Sequence, residues 1–271
     1  DHRAADVVIN IENLHRAAQQ TAITEEQKAQ ADRFPTPQFW VIKPDEIGTT
    51  SGYRLAFKDV TAPTNVRTMI AALVPEAGYG NTLPFLALET HSADFAYGAI
   101  ATLLTANFAC LAFDFIARQK VQGQHLNWYV VEQLPVITPE RFQQSIGNTC
   151  IADFIRAEVL ALTYTAHDMA AFAVDMGFVD AQGVVKPPFV WNKDDRAHRM
   201  ARLDALFMYL YGLSAADAQY ILSTFPIVRE KDMQLFGYFR TCDLILAYLA
   251  RITAGQLLHE NIVLPKKRLG Q

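Results

Sequence analysis

Phe95-Ala96-Tyr97-Gly98-Ala99-Ile100-Ala101-Thr102-Leu103-Leu104-Thr105-Ala106-Asn107-Phe108-Ala109-Cys110-Leu111-Ala112-Phe113 carries no charged side chain, and the reading of this run decides the fold. A membrane span is one reading. Thr102, Thr105 and Asn107 interrupt the run and alanine dominates it, which fits a helix buried in a protein core, with no membrane partner. On its amino-terminal side, Tyr53-Arg54-Leu55-Ala56-Phe57 alternates like a half-buried strand. Met69 to Val74 and Leu83 to Leu88 are short apolar runs, and Gly78-Tyr79-Gly80-Asn81 between them is turn chemistry that predicts a hairpin. Phe39-Trp40-Val41-Ile42 precedes a loop with Pro44, Gly48 and Gly52, and the polar residues before it read as an extended or loosely helical lead-in.

On the carboxy-terminal side the pattern turns helical. Ile151 to Met176 reads as one long periodic helix closed by Gly177, followed by a loop with Gly183 and Pro187-Pro188. Asp194 to Tyr211 is a second helix with Gly212 where a C-cap glycine belongs. Ser214-Ala215-Ala216-Asp217 has the form of an N-cap box, and Phe239 to Ala254 makes a further helix. The expected fold is α+β: a mixed part with short strands around a hydrophobic helix, then a mainly α-helical subdomain. Its expected divisions are a lead-in over 1–38, a mixed part over 39–145 and a helical part over 146–271.

The 271 residues suffice for one large domain or two small ones, and 51% hydrophobic with 19% charged residues is ordinary for a folded chain. A net charge of -4 argues against a histone-like coat but leaves room for a local basic surface, since phosphate contacts need few cations. Cys110, Cys150 and Cys242 form no CxxC pair and read as buried thiols in a reducing, cytoplasmic compartment. Asp1-His2-Arg3 is no signal peptide and lacks an initiator methionine, a start that suggests a segment of something longer.

Several near-motifs fail on chemistry. Gly78-Tyr79-Gly80 resembles a glycine loop for S-adenosylmethionine, but no helix with a following acidic residue completes it. Lys186-Pro187-Pro188-Phe189 resembles the Pro-Pro-aromatic core of an adenine methyltransferase loop, whose first residue must accept a hydrogen bond from the adenine amino group. Lysine has no acceptor. Pro44-Asp45 lacks the later acidic-x-Lys triplet of a metal-dependent nuclease, and neither a Gly-x-Ser-x-Gly elbow nor a His-Glu-x-x-His helix occurs. No metal site and no catalytic residue is assigned.

Two segments carry a family resemblance. The first is Thr64-Asn65-Val66-Arg67-Thr68-Met69-Ile70-Ala71-Ala72-Leu73-Val74-Pro75 with Asn81-Thr82-Leu83-Pro84. The second is Phe113-Asp114-Phe115-Ile116-Ala117-Arg118-Gln119-Lys120, then Gly123-Gln124-His125-Leu126-Asn127-Trp128-Tyr129 and Glu132-Gln133-Leu134-Pro135. Together they resemble the carboxy-terminal target-recognition region of type II, fused restriction-modification adenine-N6 DNA methyltransferases. Trp191, Leu203, Leu206-Phe207, Leu210-Tyr211-Gly212-Leu213, Tyr220-Ile221-Leu222 and Phe225-Pro226 continue it, over roughly residues 40–250. The resemblance implies recognition of double-stranded DNA by this segment. The adenine-modifying loop and the S-adenosylmethionine site would lie in an upstream methyltransferase domain of the same parent chain.

The side chains agree in outline. Arg118 and Lys120 end an apolar helix, and Gln122, Gln124, His125 and Asn127 follow through a glycine turn. Gln and Asn pair bidentately with adenine, Arg and Lys with guanine. His125, Asn127 and Tyr129 alternate with Leu126, Trp128 and Val130, as if one face packs and the other meets DNA, and Arg67 is a further candidate contact. Plainer readings stand beside these. Basic residues at a helix end offset its dipole, and Asp114 and Arg118, four apart, are spaced to pair. Arg196, Arg199 and Arg202 form a basic stripe, either along phosphates or in solvent. The alternative to DNA recognition is a helical protein-interaction module of a phage-defence assembly.

Overall fold

The computed structural model describes residues 1–4, 6–8, 21–37, 52–87 and 97–264. Phe39–Ile42, the loop with Pro44 and Gly48, and the Lys266-Lys267-Arg268 tail lie outside the described residues.

The elements follow the α+β expectation. Strands β1 (Val7–Val8) and β2 (Thr21–Ala22) pair antiparallel, and helix α1 (Glu25–Lys28) opens on a Thr24–Gln27 capping box. Strands β3 (Tyr53–Phe57), β4 (Ala71–Pro75) and β5 (Phe85–Leu86) make an antiparallel sheet in the order β4-β3-β5. Tyr53 faces Pro75, Phe57 faces Ala71, and Leu55 faces Leu86 on the other edge. Helices α2 (Tyr97–Ala109), α3 (Leu111–Lys120), α4 (Trp128–Val131) and α5 (Pro139–Phe142) precede a small pair, β6 (Ser145–Ile146) and β7 (Thr149–Cys150). Then come α6 (Ile151–Thr163), a 3-10 turn (His167–Met169), α7 (Ala170–Asp175) and α8 (Lys193–Leu210). The last are α9 (Ala215–Ser223), α10 (Pro226–Phe236) and α11 (Arg240–Thr253).

The predicted hairpin around Gly78–Asn81 does not form. Residues 71–75 and 85–86 both pair with β3, one on each edge, so the turn carries the chain past the central strand. β3 buries Ala56 as well as Tyr53, Leu55 and Phe57, as a strand covered on both faces does.

The charge-free run becomes two helices bent by 68° at Cys110. Asp204 of α8 makes the break: its Oδ1 accepts the Leu111 N–H at 2.6 Å, capping α3 from across the core. Within α2, Thr102 and Thr105 donate to the carbonyls of Gly98 and Ala101, so the polar interruptions are satisfied while buried. Gly98 is required by close approach, because a Cβ there would lie 2.2 Å from the Tyr53 hydroxyl oxygen. No single helix among the described residues is long and apolar enough to cross a membrane.

The expected long helix over 151–176 stops at Thr163. Tyr164 and Thr165 are claimed by partners from elsewhere: Arg3 donates to the Thr165 carbonyl and hydroxyl at 2.7 Å, and Phe189 N–H to the Tyr164 carbonyl at 2.9 Å. Such tertiary bonds replace those of a continued helix. Arg3 is fully buried, and Trp191 accepts Arg196 on its ring at 3.8 Å and donates to Glu25. The described parts of the lead-in are therefore docked on the helical half. One continuous hydrophobic core runs from β3 through α2 and α3 to α6, α8, α9 and α11.

Candidate nucleic-acid interface

Arg67 and Arg118 build a brace under the candidate surface. Asp114, fully buried, accepts the N–H groups of Thr68 (2.7 Å) and Met69 (2.6 Å) and the Arg118 guanidinium (2.9 Å). Arg118 also donates to the carbonyls of Asn65 and Val66, each at 2.8 Å, and its guanidinium lies 4.0 Å from the Phe225 ring centre. Arg67 donates to the last carbonyl of α2, Ala109, at 2.8 Å and sits 3.6 Å from Asp204. Burial pushes the Asp204 carboxyl up, opposed by Arg67 and by the Leu111 N–H. Arg67 closes the end of α2 and Arg118 fixes the 65–66 turn, so both guanidinium groups are engaged by partners within the protein.

The other five candidates share one exposed segment. Val121 N–H bonds to Ala117, ending α3, and Val121 and Leu126 are buried anchors at 4% and 1% exposure. Between and beyond them Gln122, Gln124, His125 and Asn127 are exposed, as is Lys120. The backbone is held to the end of β3. Thr61 N–H donates to the Gln124 carbonyl (2.9 Å), Leu126 N–H to the Asp59 carbonyl (2.8 Å), and Val60 bridges His125. His125 Nδ1 lies 3.0 Å from Asp59 Oδ2, and Lys120 Nζ 3.4 Å from Gln133 Oε1. Among the described residues the carboxamides of Gln122, Gln124 and Asn127 make no side-chain hydrogen bond. A fixed backbone thus presents three amides, each able to donate and accept.

The strand-like alternation expected over 125–130 is replaced by a bridge and one helical turn. Asn127 is extended (φ −72, ψ 157) and caps α4 through its carbonyl, which turns Val130 and Val131 inward. Trp128, expected on the packed face, is 44% exposed, with its ring centre 5.0 Å from that of Phe57 and the two planes at 84°. Tyr129 is 64% exposed. Val60 joins this surface through its bridge to His125. The pairing of 59–61 with 124–126 that brings it there has no local signature in the sequence.

The stripe Arg196, Arg199 and Arg202 is neither along phosphates nor in solvent. Arg196 donates to the Leu162 carbonyl at 2.7 Å, and burial pulls its guanidinium down to about 10. Arg199 and Arg202 reach the fully buried Glu158 at 3.2 and 3.1 Å, and His259 reaches its other oxygen at 2.5 Å. Lys186 of the Pro-Pro loop lies 5.2 Å from the Phe178 ring centre while its carbonyl accepts Tyr164 Oη. Cys110 and Cys242 are buried, Cys150 is partly buried, and burial drives the Cys110 thiol strongly upward. Among the described residues no group of three His, Cys, Asp or Glu side chains is placed to hold a metal ion.

No family model, curated protein or solved structure matches this chain.

Proposed function

We propose that this chain is the target-recognition segment of a restriction-modification adenine-N6 DNA methyltransferase. It binds double-stranded DNA along residues 120–129 and orients the duplex for a methyltransferase domain upstream in the parent chain. That domain would hold S-adenosylmethionine and act on an adenine turned out of the stack. The observation that supports this reading is the exposed amide-rich segment itself, tied through residues 124–126 to the chain just after β3 and carrying Gln122, Gln124 and Asn127, whose carboxamides make no side-chain hydrogen bond among the described residues, close to Lys120 in the chain. Carboxamides match the adenine edge in the major groove, and Lys120 matches guanine or phosphate.

The test is selection from a randomised duplex pool at low and moderate salt. Enrichment of a motif, lost in Lys120→Ala and Gln124→Ala, is the expected result. Absence of binding at both salts sinks the reading. A second reading, a helical protein-interaction module of a phage-defence assembly, draws on α10. That helix buries only Asp232 and leaves Met233, Leu235 and Phe236 exposed. Binding of duplex DNA with a steep salt dependence separates the two.

A further inference from the structure

Trp128 and Tyr129 are out of place on a surface that only reads base edges. They are 44% and 64% exposed, in the middle of the amide and lysine side chains just described. Their backbone is rigid: Trp128 C=O accepts Glu132 N–H at 2.9 Å, Tyr129 C=O accepts Gln133 Nε2 at 2.8 Å, and Val130 and Val131 anchor the turn below. The indole packs against Phe57, ring centres 5.0 Å apart and planes at 84°. Among the described residues the Tyr129 phenol makes no hydrogen bond and its ring no aromatic contact. A tyrosine on a rigid turn has only two side-chain torsions to lose on binding and offers a flat π face, which a polar residue at the same place would not.

That face has no use against an intact duplex, where bases are stacked on one another and show only their edges. It fits a base that has lost its neighbour or its partner. We propose that Tyr129, with Trp128 next to it in the chain, is a binding residue that stacks on an unpaired base, so that the segment binds locally opened duplex DNA more tightly than fully paired duplex. This rests on the DNA-recognition reading above and names the form of DNA that the surface prefers. Lys120 supplies attraction common to both forms; the aromatic pair supplies the preference.

The test uses the whole chain and two labelled duplexes of one sequence, one fully paired and one with a central abasic site that leaves the opposite base unpaired. The wild-type chain is expected to bind the opened duplex about tenfold more tightly, the range of one base–aromatic stack. Tyr129→Phe keeps that ratio. Tyr129→Ala brings it to within about twofold while binding of the paired duplex stays nearly constant, and Lys120→Ala weakens both forms together. Tryptophan emission is quenched by the opened duplex, and Trp128→Phe removes that quenching. Equal binding of the two duplexes by wild type, or a ratio unchanged in Tyr129→Ala, overturns the stacking role and leaves DNA recognition standing. Failure to bind either duplex overturns both.

Discussion

Arg118 and Lys120 are two residues apart at the end of one helix, yet they belong to different parts of the molecule. Arg118 is sunk into a brace of Asp114, two backbone carbonyls and the Phe225 ring, whereas Lys120 reaches solvent with one weak contact to Gln133. The same division separates Arg67 from Gln124. A cation beside a buried carboxylate is held by the fold, and its loss leaves a charge stranded. A cation over solvent contributes little to stability and remains available to a ligand. Charge type therefore says nothing about role until the partner is known.

The largest effect belongs to the brace. Asp114→Ala strands two buried N–H groups and Arg118, and is expected to lower unfolding free energy by about 3–5 kcal/mol; urea denaturation measures it. A loss below about 1 kcal/mol would mean that the loop and helix hold without the carboxylate. Next is Gly98→Ala. Its methyl group would meet the Tyr53 hydroxyl, and a cost of about 1–3 kcal/mol is expected from forced displacement of the α2–β3 contact.

A pH dependence comes from the helical half. His198 is buried and its Nδ1 lies 2.8 Å from the Tyr248 hydroxyl. Burial lowers its pKa from 6.5, with Arg240 and Arg202 adding to that and Asp194 opposing. The unfolded chain takes up the proton first as pH falls, so this contribution to stability is intact above 6.5. It diminishes below 6.5, down to the folded pKa. Thermal midpoints between pH 7.5 and 5 should fall with a slope that is reduced in His198→Gln. The smallest effect sharpens the comparison from the other side. Lys120→Ala and Gln124→Ala should each change stability by less than about 0.5 kcal/mol. Lys120→Ala should also flatten the salt dependence of DNA binding by about one unit of slope. A Lys120→Ala variant that unfolds easily would move Lys120 into the brace.

Much of the helical half was legible. Ser214 accepts Asp217 N–H in the expected cap, α8 ends at Leu210, and Gly212 follows it with φ 73. The candidate interface was legible in part. Lys120, Gln122, Gln124, His125 and Asn127 are all exposed on one short segment. Arg67 and Arg118 were drawn into the same set because their sequence context is identical in kind to that of Lys120. Val60 and the exposure of Trp128 escaped because they depend on pairing of distant segments.

What the sequence determined by itself are the features settled within a turn of helix or a few residues of strand: caps, terminating glycines, the strand at 53–57 and the buried run at 97–109. Tertiary structure decided where that run bends, where the helix after Ile151 stops and which arginines are spent. Each of those outcomes depends on a partner far along the chain — Asp204 for Leu111, Arg3 for Thr165, Glu158 for Arg199 and Arg202. A backbone group left without water takes the partner that folding brings to it, and that partner leaves no trace in the local pattern.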